Sequence, residues 1–159
     1  MVREAQPGDA IWASLVELPE EERRGRMTET YGELASLAEP DRKARMLAMA
    51  RAEYALSDER LRTFTLSRLR VWLSLPAETA RIMAATYDAA MAQMPARAAM
   101  RHVELVQTLA RTFSSGDEAK LRQLVPSVFG GVARESQPAA AVAQPQPPRR
   151  KGFWPFRRS

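Results

Sequence analysis

Apolar residues recur along this chain at intervals of three and four, the spacing that lines one face of a helix. Met27, Tyr31, Leu34 and Leu37 form one such stripe, and Leu61, Phe64, Val71, Trp72 and Leu75 form a second. Met83, Tyr87, Ala90 or Met91, and Met94 make a third; Ala99, Val103, Val106, Leu109 and Phe113 make a fourth. Stretches that alternate with period two are too short to be useful strands. The pattern predicts an all-α body with helices near 9–17, 20–38, 41–55, 58–74, 77–93, 96–112 and 117–128. Pro19, Pro40, Pro76 and Pro95 each precede a helical pattern, where a missing N–H and a fixed φ suit the first turn. Ser57 before Asp58-Glu59 reads as an N-cap, Ser115-Gly116-Asp117-Glu118 as a capping box, and Gly130-Gly131 as the close of the last helix.

The stripes repeat. Leu18-Pro19 recurs as Leu75-Pro76, and Met27-Thr28-Glu29-Thr30-Tyr31 recurs as Met83-Ala84-Ala85-Thr86-Tyr87. Pro40-Asp41-Arg42 with Met46 returns as Pro95-Ala96-Arg97 with Met100, and Leu56-Ser57 as Phe113-Ser114. The expected body, 9–131, is therefore a helical bundle or short superhelical stack of two three-helix repeats, about 18–74 and about 75–130. Repeats that stack apolar faces usually build interaction scaffolds. Leu-Pro-x-Glu ahead of an amphipathic helix resembles armadillo-like superhelical scaffolds, over a stretch too short to imply a function.

Composition adds two limits. Ala, Leu and Met dominate the apolar set, which favours helix, and the absence of cysteine removes disulfides, thiol catalysis and thiolate metal sites. No run of about 18 apolar residues is present, and Met1-Val2-Arg3-Glu4-Ala5 lacks a signal-peptide core, so a cytoplasmic protein is expected.

Charge changes the picture most. The chain carries 24 basic and 19 acidic residues, net +5, yet residues 1–134 hold 19 basic against 18 acidic and are nearly neutral. Residues 135–159 hold five basic residues against Glu135 alone. The excess is therefore concentrated at one end, in a basic-aromatic tail over 149–159: Arg149, Arg150, Lys151, Phe153, Trp154, Phe156, Arg157 and Arg158. Residues 132–148, rich in Ala, Gln and Pro, bury too little to offset ordering entropy and are expected to be a disordered linker. Over 135–148 it would reach roughly 20 Å as a coil, or about 43 Å as polyproline II.

The tail reads as a docking device. Basic residues near an anionic leaflet contribute about 1 kcal/mol each, and aromatic rings favour the headgroup level. Pro155 breaks any long amphipathic helix, so a compact aromatic wedge is expected. The alternatives are a short linear motif that enters a protein pocket and, with less support, stacking on single-stranded nucleic acid. A body that coats nucleic acid would carry its own basic face, which the charge count argues against.

Candidate chemistry in the body is sparse. His102 is the only histidine and reads as a partly buried structural residue beside the fourth stripe. Neither G-x-S-x-G nor a glycine-rich phosphate loop is present, and no Asp-rich loop offers oxygen ligands. Glu22 with Arg26 and Asp41 with Arg45 read as i,i+4 surface pairs, and Arg60, Arg62, Arg68 and Arg70 as solvated charges spread over more than one face. Met46, Met49, Met83, Met91, Met94 and Met100 read as core. The expectation is a non-enzymatic adaptor with no catalytic residue, metal or cofactor. Its body would bind a protein partner, and its tail would dock peripherally on the anionic inner membrane face.

Overall fold

Helix is the only regular structure among residues 7–130, the residues described by this computed structural model. The order is α1 (Pro7–Ser14), a 3-10 turn (Leu15–Glu17), α2 (Glu20–Ala35), α3 (Glu39–Tyr54), α4 (Asp58–Ser74), α5 (Ala77–Met91), α6 (Ala96–Ala110), α7 (Ser115–Leu124) and α8 (Pro126–Phe129). The linker expected at 132–148 and the tail at 149–159 lie outside the described residues.

Helix starts follow the proline reading with small shifts. Pro19, Pro76 and Pro95 are N-caps with ψ of 148°, 140° and 143°, extended backbone that swings the chain into the first turn. Pro40 instead lies inside the first turn of α3, so that helix starts at Glu39. Ser114, not Ser115, caps α7: its Oγ accepts from the Asp117 N–H at 3.2 Å. The expected 117–128 helix is two helices, because Pro126 pushes Val125 out of the α region to φ −124°, ψ 60°. Gly130 follows α8 in right-handed backbone, with no left-handed cap.

The stripes form one core. Met27, Tyr31, Leu34, Met46, Phe64, Leu69 and Met83 are completely buried, and Leu61, Val71, Trp72, Tyr87, Val106 and Leu109 nearly so. Of the methionines read as core, Met46, Met49, Met83 and Met91 are buried and Met94 is partly so, but Met100 is 72% exposed. The helices sit in two interleaved rows. Helix α3 packs on α1 and α5, α5 also on α7, while α4 packs on α2 and α6, and α6 on α8. Each helix thus leans on its second neighbour in sequence, and α2 against α5 is the broadest contact between the rows. Central α4 touches five other helices and buries residues around most of its circumference.

The surface pairs differ from those expected. Arg26 approaches Glu29 at 3.8 Å, and Arg45 approaches Glu33 of α2 at 3.8 Å, so neither forms the i,i+4 pair. Arg26 takes an i,i+3 partner within α2 and Arg45 reaches across to α2. At such exposed positions each ion pair contributes little, so local spacing alone does not decide the partner.

The exposed face of α2 contains Gly25 and Gly32, and a Cβ added at either would meet nothing within 4 Å. Each glycine costs helix stability through backbone entropy without relieving any clash. Gly25→Ala and Gly32→Ala are each expected to stabilise the fold by about 0.5–1 kcal/mol, measured by urea unfolding monitored at 222 nm. An unchanged or lower midpoint would show that the glycines do something the packing does not reveal.

Candidate functional site

The helical registers that bury the apolar stripes also bury charge. In α3, Glu53 follows Met46, Met49 and Ala50 on the inward face; in α4, Arg68 falls between Phe64 and Trp72. Both side chains are wholly buried and form an ion pair through Arg68 Nη1 and Glu53 Oε2. Glu53 Oε2 also accepts from the Tyr87 hydroxyl at 2.7 Å, and Oε1 accepts from Trp12 Nε1 at 2.8 Å. Arg68 Nη1 donates to the Tyr87 hydroxyl as well. The reading of Arg68 as a solvated surface charge is corrected here. Position 68 continues the apolar face of α4, and a carboxylate on α3 makes its burial tolerable.

Aromatic rings enclose this pair. The Arg68 guanidinium carbon lies 4.1 Å from the Tyr87 ring centre and 5.4 Å from that of Trp72, a cation–π arrangement. Trp12 stands edge-on to Tyr31 and Phe64, both at 5.4 Å, and Trp72 edge-on to Tyr87 at 5.5 Å. Burial pushes the Tyr31 and Tyr87 hydroxyls well above their usual range, so both stay protonated. Burial opposes charge on Arg68, but the facing Tyr87 and Glu53 outweigh it and hold its pKa above the ordinary arginine value.

Beyond Tyr87 the polar chain continues to α6. His102 is buried, packs 5.2 Å from the Tyr87 ring and shares a 2.9 Å hydrogen bond between Nδ1 and the Tyr54 hydroxyl. Burial, with a smaller push from Arg68, lowers its pKa to about 3, so the imidazole is neutral. The structural reading of His102 agrees with this setting.

A second buried arginine escaped the sequence reading. Arg23 Nε donates to the Leu15 carbonyl at 3.2 Å, Nη2 to the Leu18 carbonyl at 2.7 Å, and Nη1 to Ser67 Oγ at 2.8 Å. It satisfies carbonyls at the 3-10 turn and ties that turn to α4.

The polar core is closed, whereas the outward side of the α2–α4–α6 row is open. Asp58, Leu61, Arg62, Arg101, Glu104, Leu105 and Thr108 line a shallow cleft of about 480 Å³ between α4 and α6. A smaller one of about 140 Å³ lies between α2 and α4, and Arg62 borders both. Arg60 and Arg70 reach across to Glu17 and Glu20, so the four α4 arginines have three different environments. Among the described residues no cluster of three or more acidic or histidine side chains is arranged to hold a metal ion. Arg149, Arg150, Lys151, Phe153, Trp154, Phe156, Arg157 and Arg158, expected to dock, all lie outside the described residues. No protein-family description, curated protein or solved structure matches this chain.

Removing one member of the buried pair leaves an uncompensated charge, while removing both does not. Arg68→Met is expected to destabilise the fold by about 3–5 kcal/mol, and the double change Glu53→Gln with Arg68→Met to recover most of that loss. Urea unfolding of both variants tests this, and equal losses would show that the pair does not act as a unit.

His102 sets a pH dependence. Its folded pKa, about 3, lies below its unfolded value of 6.5, so the unfolded chain binds the extra proton in that window. Stability attributable to His102 is complete above pH 6.5 and falls, by up to about 1.4 kcal/mol per unit, as pH drops from there toward 3. His102→Gln is expected to flatten the unfolding midpoint between pH 6.5 and 5, above the range of ordinary carboxylate titration. A wild-type profile already flat in that window would contradict it.

Proposed function

We propose that this protein is a non-enzymatic adaptor whose helical body binds a protein partner and whose basic-aromatic tail docks it on an anionic membrane surface. One observation carries the reading: the charge is segregated. The body is nearly neutral while residues 149–159 hold five basic side chains, no acidic one, and three large aromatics around Pro155. Such a segment serves no compact core, and its two kinds of side chain match the two components of a lipid interface, negative headgroups and apolar boundary. Among the described residues no helix is long and apolar enough to cross a membrane, so attachment by the tail would be peripheral.

The body supports a scaffold role. Its densest set of ionisable groups is sealed from solvent, while the α2–α4–α6 side offers open relief to a partner. The body is also read as a duplication of α2–α3–α4 in α5–α6–α7. Pro19 and Pro76 cap the corresponding first helices, Met27 and Met83 are both fully buried, and Tyr31 and Tyr87 both pack on Trp72. Ser57 and Ser114 stand at matching N-caps. The second unit is abridged, because Pro126 ends its third helix early.

Co-sedimentation of the full chain with neutral and anionic vesicles across a salt series tests the tail. Binding to anionic vesicles alone, weakened by salt and lost when the chain ends at Pro148, is the expected result. Alanine at Phe153, Trp154 and Phe156 is expected to weaken binding at unchanged charge. Absence of vesicle binding at low salt would overturn the membrane reading and favour a peptide motif for a protein pocket.

A further inference from the structure

Arg68 uses only part of its guanidinium. Nη1 serves Glu53 and Tyr87, but Nε and Nη2 are buried without a protein partner. Those two nitrogens form the fork edge of the group, the side whose parallel N–H bonds usually grip an oxygen ligand. Thr65 Oγ1 in the same core also lacks a partner, and Tyr31 Oη and Trp72 Nε1 approach each other without closing a well-formed bond.

These groups are neighbours. Thr65, Arg68 and Trp72 stand at i, i+3 and i+7 of α4 and so share one face. The Tyr31 ring lies 6.3 Å from Trp72, and the Arg68 guanidinium carbon 5.4 Å from the same indole. All four residues are buried, and a buried donor without a partner is costly. An arginine whose charge is kept by its surroundings cannot relieve that cost by losing its proton.

We propose that the fork edge of Arg68 is an internal hydration site, holding a water molecule that links α4 to the Tyr31 hydroxyl of α2. The chemistry of the surrounding atoms selects this ligand. Arg68 and Trp72 can only donate, so the ligand must accept; the Tyr31 and Thr65 hydroxyls can also accept, so it should donate in return. Water does both. A metal cation would face N–H donors and a guanidinium charge. An anion would satisfy the donors, but Glu53 already balances Arg68, and a further negative charge would be buried without a counterion. The site is independent of the docking role proposed for the tail.

Two measurements on the full chain test it. Oxygen-17 relaxation dispersion registers waters held longer than the protein takes to tumble and is not confused by hydroxyl protons. The wild type is expected to show such a water, and the double variant Glu53→Gln with Arg68→Met, which lacks the fork edge, is expected to show one fewer. Equal dispersion amplitudes in two folded proteins would overturn the proposal. A crystal structure decides the matter even if the variant does not fold. The expected result is a peak about 2.7–3.2 Å from Arg68 Nε or Nη2 and within reach of the Tyr31 hydroxyl. A dry edge would refute the site, and an anomalous peak there after a bromide soak would make it an anion site.

Discussion

The pairing of Glu53 with Arg68 constrains more of this fold than any single apolar contact. A buried carboxylate and a buried guanidinium tolerate burial only when each finds the other at good geometry, so α3 and α4 must meet in one register. Trp12 and Tyr87 supply further donors to Glu53 from α1 and α5, and His102 and Tyr54 extend the polar chain to α6. Five helices therefore have their rotation about their own axes set by directional bonds. An apolar core of Leu, Ala and Met is permissive, since such side chains repack with modest losses. The polar chain distinguishes one packing from the others those residues would accept.

Much of this architecture was legible in the chain. Helical period, proline punctuation and the absence of alternating stretches give the all-α class, and α4 occupies the expected 58–74. Boundaries moved where a proline had two possible places in the first turn, as at Pro40, or where a proline cut a helix, as at Pro126. The ionic core was harder to see, because charge on a helix is normally read as solvated. A signal existed: the α4 stripe passes from Phe64 to Val71 through position 68, and Glu53 continues the series Met46, Met49 and Ala50. Two opposite charges, each in an apolar register on consecutive helices, point to a buried pair. Arg23 also stood in an apolar register, four residues before Met27 on the α2 stripe. Its partners, however, are backbone carbonyls at a turn and a serine 44 residues away, so no opposite charge on a neighbouring helix pointed to it.

The body and the tail rest on different physics. In the body, net charge is small and the bonds that matter are directional and shielded from salt. In the tail, the charges have no acidic neighbours, so their attraction to a surface would be long-ranged and salt-sensitive. If the tail docks as proposed, its association with a surface would respond to ionic strength or modification while the folded part stays unchanged. The open α2–α4–α6 side would then remain available to a partner in both states.

The row arrangement also has a bearing on how the chain comes together. Several side-chain bonds between helices join residues far apart along the sequence: 41 for Trp12 to Glu53, 44 for Arg42 to Thr86, 48 for Tyr54 to His102 and 39 for Ser127 to Asp88. Glu53 reaches Arg68 over 15 and Tyr87 over 34. Each helix must wait for the second one after it before its packing surface is complete. Closure costs of this kind grow only slowly with loop length, so no single step is a large barrier. During synthesis the structure can grow as a moving front about two helices behind the ribosome, with α1 docking once α3 has emerged. Glu53 would then spend the time until α4 and α5 arrive in contact with Trp12 alone.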